Sequence, residues 1–255
     1  ALGYRDPCLT TAELFHFLAI EQRADQPNLR LRLADHDAGT VVVPDVSGLK
    51  LRKVAILNGA HTALCPLALL AGVPTVGAAM GIDAARQFLT RTLDAEIIPT
   101  LDLPPAETAA FAADVLRRFA NPFVQHQWHD ISLNAVSKIR TRNLDRMAAF
   151  EADRGHPPRR LTLSLAAWIL FYLGRFPGAQ HLPPRDTPEV LATFAGLRGL
   201  DDPHDLAAAV LAEPMFWGKP IDDPTLLAAL AKELRRLGER LHAKPDLPSL
   251  LALAD

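Results

Sequence analysis

The 255-residue sequence has only two cysteines and almost no excess charge of either sign. Cys8 and Cys65 form neither a CxxC motif nor a disulfide framework, so the sequence favours a reducing, cytoplasmic compartment. The 27 basic and 29 acidic residues give a formal net charge of −2, which provides no electrostatic basis for binding nucleic acid. No run of 18 apolar residues occurs, and the N-terminal ALGYRDPCLTTAEL lacks an apolar core, so we predict neither a membrane span nor a signal peptide.

Several motifs of nucleotide and metal sites are also missing. The sequence contains neither GxGxxG nor GxxxxGK[ST], so no phosphate cradle for a nucleotide is predicted within it. It also lacks HExxH, clustered cysteines and GxSxG. His126 and His129, beside Asp130, have a three-residue spacing, as have Glu13 and His16. Because such two-ligand pairs are frequent by chance, we predict no metal site.

Hydrophobic periodicity predicts a mainly α protein with a small β-containing segment near its N-terminus. Phe15 to Glu21 and Val41 to Asp45 have the composition of short strands. Asp83, Thr187 and Asp205 stand at expected helix N-caps. Helical spacing covers residues 51–70, 83–98, 105–119, 124–150, 161–173, 187–195, 205–211 and 224–241. On this pattern alone, a helical interaction scaffold remains an alternative.

The most informative polar side chains lie on the predicted helix at 51–70. At about 100° per residue, Lys53, Asn58 and His61 fall at roughly 0°, 140° and 80° and share one side of an α-helix. An amine, an amide and an imidazole in one region suit proton transfer and hydrogen bonding at a hydroxyl or carbonyl. The apolar neighbours predict a partly desolvated amine, and the chain has only six lysines. The structural alternative is a solvated Lys53, a surface Asn58 and a partly buried His61 without a chemical role.

A second polar pattern recurs at four-residue intervals. His126, Asp130, Asn134 and Lys138 would each be rotated by about 40° from the last, so they predict one line along a continuous helix. Such a line suits a polyhydroxylated ligand. An exposed helix face is the commoner explanation of the same pattern.

An ordered series of segments resembles one family of enzymes. KVAILNGAH (53–61) is similar to the catalytic signature of the polyol-specific long-chain dehydrogenases, the mannitol dehydrogenase family. The resemblance continues through RFANPFVQHQWHDISLNAVSKIRTR (118–142), RRLTLSLAAWILFYLGR (159–175) and FWGKP (216–220). The family includes mannitol 2-dehydrogenase, fructuronate reductase and tagaturonate reductase. Within it, the sequence most resembles the tagaturonate reductases.

The resemblance implies a metal-independent oxidoreductase that uses NAD and interconverts D-tagaturonate and D-altronate. It implies that Lys53 is the general acid/base, that Asn58 belongs to an oxyanion hole and that His61 positions the substrate. Fructuronate reduction and mannitol oxidation are the alternatives within the family. A non-catalytic module that binds a sugar acid is the alternative from another class.

The resemblance also extends to the substrate-binding face. Lys138 matches a substrate-binding lysine of the family, and we add Asn134 and His126 because they lie on the same predicted face. Asp130 departs from the pattern, since polyol-oxidising relatives have an arginine there. Leu14 likewise replaces the usual proline. The sequence therefore does not identify the residue that would bind a substrate carboxylate.

For the fold, the resemblance implies a multi-helical C-terminal domain similar to that of 6-phosphogluconate dehydrogenase. We expect this substrate-binding and catalytic domain at residues 48–255, preceded at 1–47 by the end of a Rossmann-side domain with short strands. The family binds NAD mainly on a Rossmann domain, which this sequence lacks. We therefore expect a C-terminal portion of a longer enzyme that binds NAD poorly by itself.

Overall fold

A computed structural model describes residues 3–5, 7–8, 16–22 and 39–255, in two compact units, 1–51 and 52–255. The first unit contains two parallel strands, β1 (Leu18–Glu21) and β2 (Thr40–Val43), with Leu18 opposite Thr40. Both predicted strands are confirmed at shifted bounds, and Phe15 lies outside the described residues. Strand β2 stops before Asp45, whose carboxylate accepts the Ser47 N–H at 2.7 Å and so turns the chain into the first helix.

Helices make up most of the described chain, which confirms the mainly α class. In three places the helix is of the π type, with hydrogen bonds between residues five apart. In chain order the α- and π-helices are α1 (Ser47–Arg52), π1 (Lys53–Asn58), α2 (Gly59–Leu70), α3 (Val76–Met80), α4 (Asp83–Thr92), π2 (Leu93–Ile97), α5 (Pro105–Phe119), α6 (Trp128–Ile131), α7 (Ala135–Ile139), π3 (Arg140–Leu144), α8 (Asp145–Arg154), α9 (Arg159–Leu173), α10 (Pro188–Gly196), α11 (Pro203–Ala212), α12 (Pro214–Trp217), α13 (Pro224–Leu241) and α14 (Leu247–Leu251).

The core of the second unit is formed by α2 and α9, which pack against each other. Every residue of α2 is buried, as are all residues of α9 from Leu161 onward. Helices that are apolar on all sides are typical of a protein interior. Helix α13 also packs on α9 and buries only one face, consistent with its amphipathic sequence. The residues around α2 are therefore held on a rigid framework.

Pro66 lies inside α2 and changes the hydrogen bonding of its neighbours. Proline has no N–H, so the carbonyl of Thr62, four residues earlier, loses its usual intrahelical donor. Trp168 Nε1 of α9 donates to that carbonyl at 3.0 Å, and Ser164 Oγ donates at 3.4 Å. Because buried carbonyls need a partner, these contacts fix α9 against α2 beside the polar residues predicted from the sequence.

One helical segment of the described chain, Ser47–Leu70, has the length and apolar composition of a membrane span. Its most apolar window is 78% buried inside the protein. A core helix of a folded domain passes the same test, and the packing of α2 against α9 accounts for its apolar character.

The predicted helix N-caps are only partly correct. Thr187 caps α10 as expected, its side chain accepting a backbone N–H. At α4 the N-cap is Ile82, and Asp83 is the first helical residue. At α11 the cap is Asp202, and Asp205 lies in the first turn. Proline at the first helical position allows this earlier start, since its missing N–H would have no partner there.

The predicted continuous helix over 124–150 is wrong. Gln127, the residue before α6, is extended and forms an antiparallel bridge with Thr75. Between α6 and α7, Asn134 adopts the left-handed conformation with φ of 53°, which asparagine tolerates better than most residues. The Asn134 N–H donates to the Arg185 carbonyl at 2.9 Å. The turn is thus held by a tertiary contact that the local sequence does not reveal.

Candidate functional site

Lys53 and Asn58 are the first and last residues of π1. In an α-helix, residues five apart differ by roughly 140° in direction. A π-helix has more residues per turn, so the same spacing gives a smaller angle, and π-turns are frequent at functional sites. Lys53 is exposed and Asn58 is partly buried. The predicted desolvation of Lys53 is wrong for the described chain, because the nearby Ile56 is buried in the core while Lys53 lies on the solvent side.

His61 lies one turn beyond Asn58 and is 9% exposed. Its ring stacks on Phe119 with 3.9 Å between centroids and meets the rings of His126 and Trp128 edge-on at 5.5 and 6.1 Å. The Nε2 atom of His61 is buried and has no hydrogen-bond partner among the described residues. A buried, unpartnered ring nitrogen is costly in a folded protein, which favours a ligand group as its partner.

The environment of His61 keeps its imidazole neutral. Burial, reinforced by His126 and by the positive charges of Arg142, Arg118 and Lys138, lowers the pKa of His61 from 6.5 to about 3. At neutral pH the ring therefore gives or accepts a hydrogen bond without carrying a charge. It is suited to orienting a hydroxyl and unsuited to shuttling a proton.

Positive side chains surround this part of α2. Lys138 Nζ donates to the Ile131 carbonyl at 2.8 Å, and Arg142 Nη1 donates to Thr62 Oγ1 at 3.1 Å. Burial lowers the pKa of Lys138, and the neighbouring Arg142 lowers it further. Burial also lowers the pKa of Arg142. The hydroxyl of Thr62 in turn donates to the Asn58 carbonyl at 2.9 Å, which links Arg142 to π1.

The structure brings some residues of the predicted polar line to His61 and separates others. His126 contacts His61, and Lys138 acts on it electrostatically. Asp130 instead pairs with Arg185 at 3.0 Å. The exposed Asn134 side chain makes none of the hydrogen bonds found in the described chain. The single helical line is therefore wrong, because the turn at Asn134 changes the direction of the chain between α6 and α7.

Sequence reasoning missed Arg142, Thr62 and Phe119. For Arg142 a signal was present, since it follows Lys138 at the same four-residue interval that defines the predicted line. For Phe119 no local signal exists, because its contact with His61 joins the end of α5 to α2.

Metal-ligating groups cluster at one place in the described chain. Ligand atoms of Asp202, His204 and Asp205 lie within 4.8 Å of one another. All three residues are exposed, and the carboxylate of Asp202 already caps α11. We assign no metal to this cluster.

The buried, neutral His61 predicts a specific acid sensitivity. As pH falls from 6.5 towards 3, the unfolded chain binds a proton at this ring that the folded chain does not, so stability present above pH 6.5 is progressively lost. From pH 7.5 to 5.0, we expect His61 to account for a loss of about 1–2 kcal/mol in the free energy of unfolding. Urea unfolding of the unsubstituted chain and of His61→Gln at both pH values measures this. The exposed His242→Gln is the control, and an unchanged pH dependence in His61→Gln would contradict the assignment.

Comparison with known proteins assigns the chain to a family. The profile of the mannitol dehydrogenase C-terminal domain matches residues 45–238. The chain belongs to this family. It is 40% identical over 238 residues to an altronate oxidoreductase of Yersinia pestis and 42% identical over 241 residues to that of Cronobacter sakazakii. These alignments cover 91% and 92% of this chain but 48% and 49% of the relatives. The chain thus spans about half the length of the curated relatives it matches.

Solved structures agree on the fold. Pseudomonas fluorescens mannitol 2-dehydrogenase, in a ternary complex with NAD and D-mannitol, matches with a TM-score of 0.71 and 22% identity over 84% of this chain and 42% of that protein. A D-sorbitol dehydrogenase matches with a TM-score of 0.66 and 22% identity over 86% of this chain and 43% of that protein. The multi-helical C-terminal domain expected from the sequence is confirmed.

Proposed function

We propose that this chain provides the substrate-binding and proton-transferring domain of an NAD-dependent oxidoreductase that interconverts D-tagaturonate and D-altronate. The observation that carries the proposal is the neutral His61 with an unpartnered Nε2, one turn beyond the π-turn that holds Lys53 and Asn58. The names of the altronate oxidoreductase relatives support the choice of substrate.

Each of the three side chains suits one task. The amine of Lys53 takes the hydroxyl proton when the alcohol is oxidised and returns it when the ketone is reduced. The amide of Asn58 donates a hydrogen bond to the oxygen on which negative charge develops. The neutral ring of His61 holds a neighbouring hydroxyl through Nε2 and so fixes the reacting carbon relative to Lys53.

The surrounding residues extend the site. We propose that Lys138 and His126 contact substrate hydroxyls, since both act on His61. Asn134 remains a proposed contact on the strength of its exposed position alone, at the turn that leads into α7.

The proposed cofactor, NAD, requires a phosphate-binding site. When bound, NAD would accept or donate the hydride, but a dinucleotide requires a phosphate cradle, and the sequence has no glycine-rich fingerprint for one. We therefore assign none of its contacts here and propose that another domain holds it. Residues 1–47, with strands β1 and β2, are proposed to belong to that domain, and 48–255 to the helical one.

Substrate profiling tests the proposed function. We expect the complete product of the gene that encodes this chain to reduce D-tagaturonate with NADH at a higher kcat/KM than D-fructuronate or D-fructose. The rate of NADH oxidation measures this. A preference for D-fructose would favour the mannitol dehydrogenase alternative. Binding of D-altronate without turnover of any substrate would favour a non-catalytic module.

A further inference from the structure

Arg142 is a partly buried cation without an anionic partner in the part of the chain that the structure describes. The only hydrogen bond of its guanidinium in the described chain goes to the neutral Thr62 Oγ1, at 3.1 Å. No carboxylate oxygen of the described residues lies within 4 Å of it. A guanidinium has five N–H donors, so this contact leaves most of them for another group.

Several other partly buried arginines of the described chain pair with carboxylates, whereas Arg146, like Arg142, donates to the neutral oxygens of a threonine, Thr100. Arg52 pairs with Glu107 at 3.5 Å, Arg160 with Glu96 at 3.4 Å, and Arg236 with Glu233 at 3.0 Å. Desolvating a charge costs free energy that a paired carboxylate offsets. At Arg142 the cost is present, as its lowered pKa indicates, but the described chain supplies no carboxylate.

The position of Arg142 indicates where the missing anion would lie. Its bonded partner, Thr62, is adjacent in sequence to His61, whose Nε2 lacks a partner. Arg142 also acts electrostatically on the His61 ring. A ligand that hydrogen-bonds His61 through a hydroxyl would therefore lie within the electrostatic range of the Arg142 guanidinium.

The other candidate cations suit a carboxylate less well. Lys138 already donates to the Ile131 carbonyl. The guanidinium of Arg185 is paired with the carboxylate of Asp130. A guanidinium also matches the two oxygens of a carboxylate better than an ammonium does, because its N–H groups form a planar fork.

We propose that Arg142 binds the carboxylate of the substrate and thereby makes the site selective for a sugar acid over an uncharged polyol. The inference rests on the proposed function and names the residue that sets its substrate class. Thr62 holds one arm of the guanidinium in place, and the free arm meets the carboxylate while His61 holds a hydroxyl of the same molecule.

Steady-state kinetics of the complete gene product test the proposal. The variants are Arg142→Gln and Arg142→Lys, with Arg140→Gln as the control, an exposed arginine on the same π-turn. The probes are D-altronate and the uncharged hexitol of the same chain length, followed by KM or, for a probe that is not turned over, by its inhibition constant. Loss of a hydrogen-bonded charge partner corresponds to a rise of about 10- to 100-fold in KM for D-altronate. We expect this for Arg142→Gln, with little change in kcat or in the constant for the hexitol.

The Arg142→Lys variant and the Arg140→Gln control show whether an effect is specific to the charge of Arg142. Arg142→Lys should recover part of the D-altronate affinity because it keeps the charge, and Arg140→Gln should behave as the unsubstituted protein. Equal weakening of D-altronate and the hexitol in both Arg142 variants would overturn this proposal and leave the proposed function intact. If the unsubstituted protein neither binds nor turns over D-altronate, both proposals fail. Should Arg142→Gln not fold, the same comparison is made with Arg142→Lys.

Discussion

Replacing Lys53 with alanine is expected to lower the turnover of D-altronate and of D-tagaturonate by a factor of about 10² or more, the lower range for general acid–base catalysis. The expectation follows from the proposed role of the amine, since oxidation needs a base for the hydroxyl proton and reduction needs an acid for the ketone oxygen. A single side chain serves both directions. Turnover in both directions, measured on the complete gene product, is therefore the appropriate test.

Two controls separate proton transfer from a general loss of structure. Lys50→Ala removes an exposed lysine from the helical turn that immediately precedes π1 and should leave turnover unchanged. A small primary amine added to Lys53→Ala should restore part of the lost rate, because it replaces the missing group. Near-normal turnover of Lys53→Ala would assign the proton transfer to another residue and would remove the main support for the proposed mechanism.

Replacing Asn58 with alanine is expected to lower kcat by about 10²–10³, as for the loss of one oxyanion-hole donor. The amide would bind most strongly when charge develops on the reacting oxygen, so KM should change far less than kcat. Asn58→Asp preserves the shape of the side chain but offers only acceptors at neutral pH. We expect it to be at least as impaired as Asn58→Ala.

The split between kcat and KM identifies the role. If both Asn58 variants raise KM and leave kcat unchanged, Asn58 contributes to ground-state binding only. Urea unfolding of each variant provides the structural control, because the Asn58 carbonyl also accepts a hydrogen bond from Thr62. That bond involves the backbone and is retained in every variant.

The helices that could be predicted are those whose signals are local. The amphipathic pattern at 224–241 gives α13 at the same bounds, and the apolar run at 161–173 gives most of α9. The break at Asn134 could not be predicted, since it depends on the carbonyl of Arg185, far along the chain. The N-cap at Asp202 was predictable in principle, because Pro203 follows it.

In the candidate site, too, some features could be predicted from local sequence and others depend on tertiary packing. The prediction that Lys53, Asn58 and His61 form one site rests on their spacing along one helix. The burial of His61 against Phe119 and the exposure of Lys53 depend on how helices pack, and single-helix geometry contains no such information. Angles calculated for an α-helix were also inapplicable at 53–58, because the chain there forms a π-turn.

The π-turn makes the stretch between Lys53 and Asn58 sensitive to length more than to residue type. Removing one of the four intervening residues would rotate everything that follows by about 100° around the helix axis. Helix α2 cannot absorb that rotation, because all of its residues are buried and Trp168 is bonded to one of its carbonyls. Substitutions at the partly exposed Val54 and Leu57 are compatible with the site, whereas we expect an insertion or deletion at 54–57 to change the direction of Lys53 relative to His61.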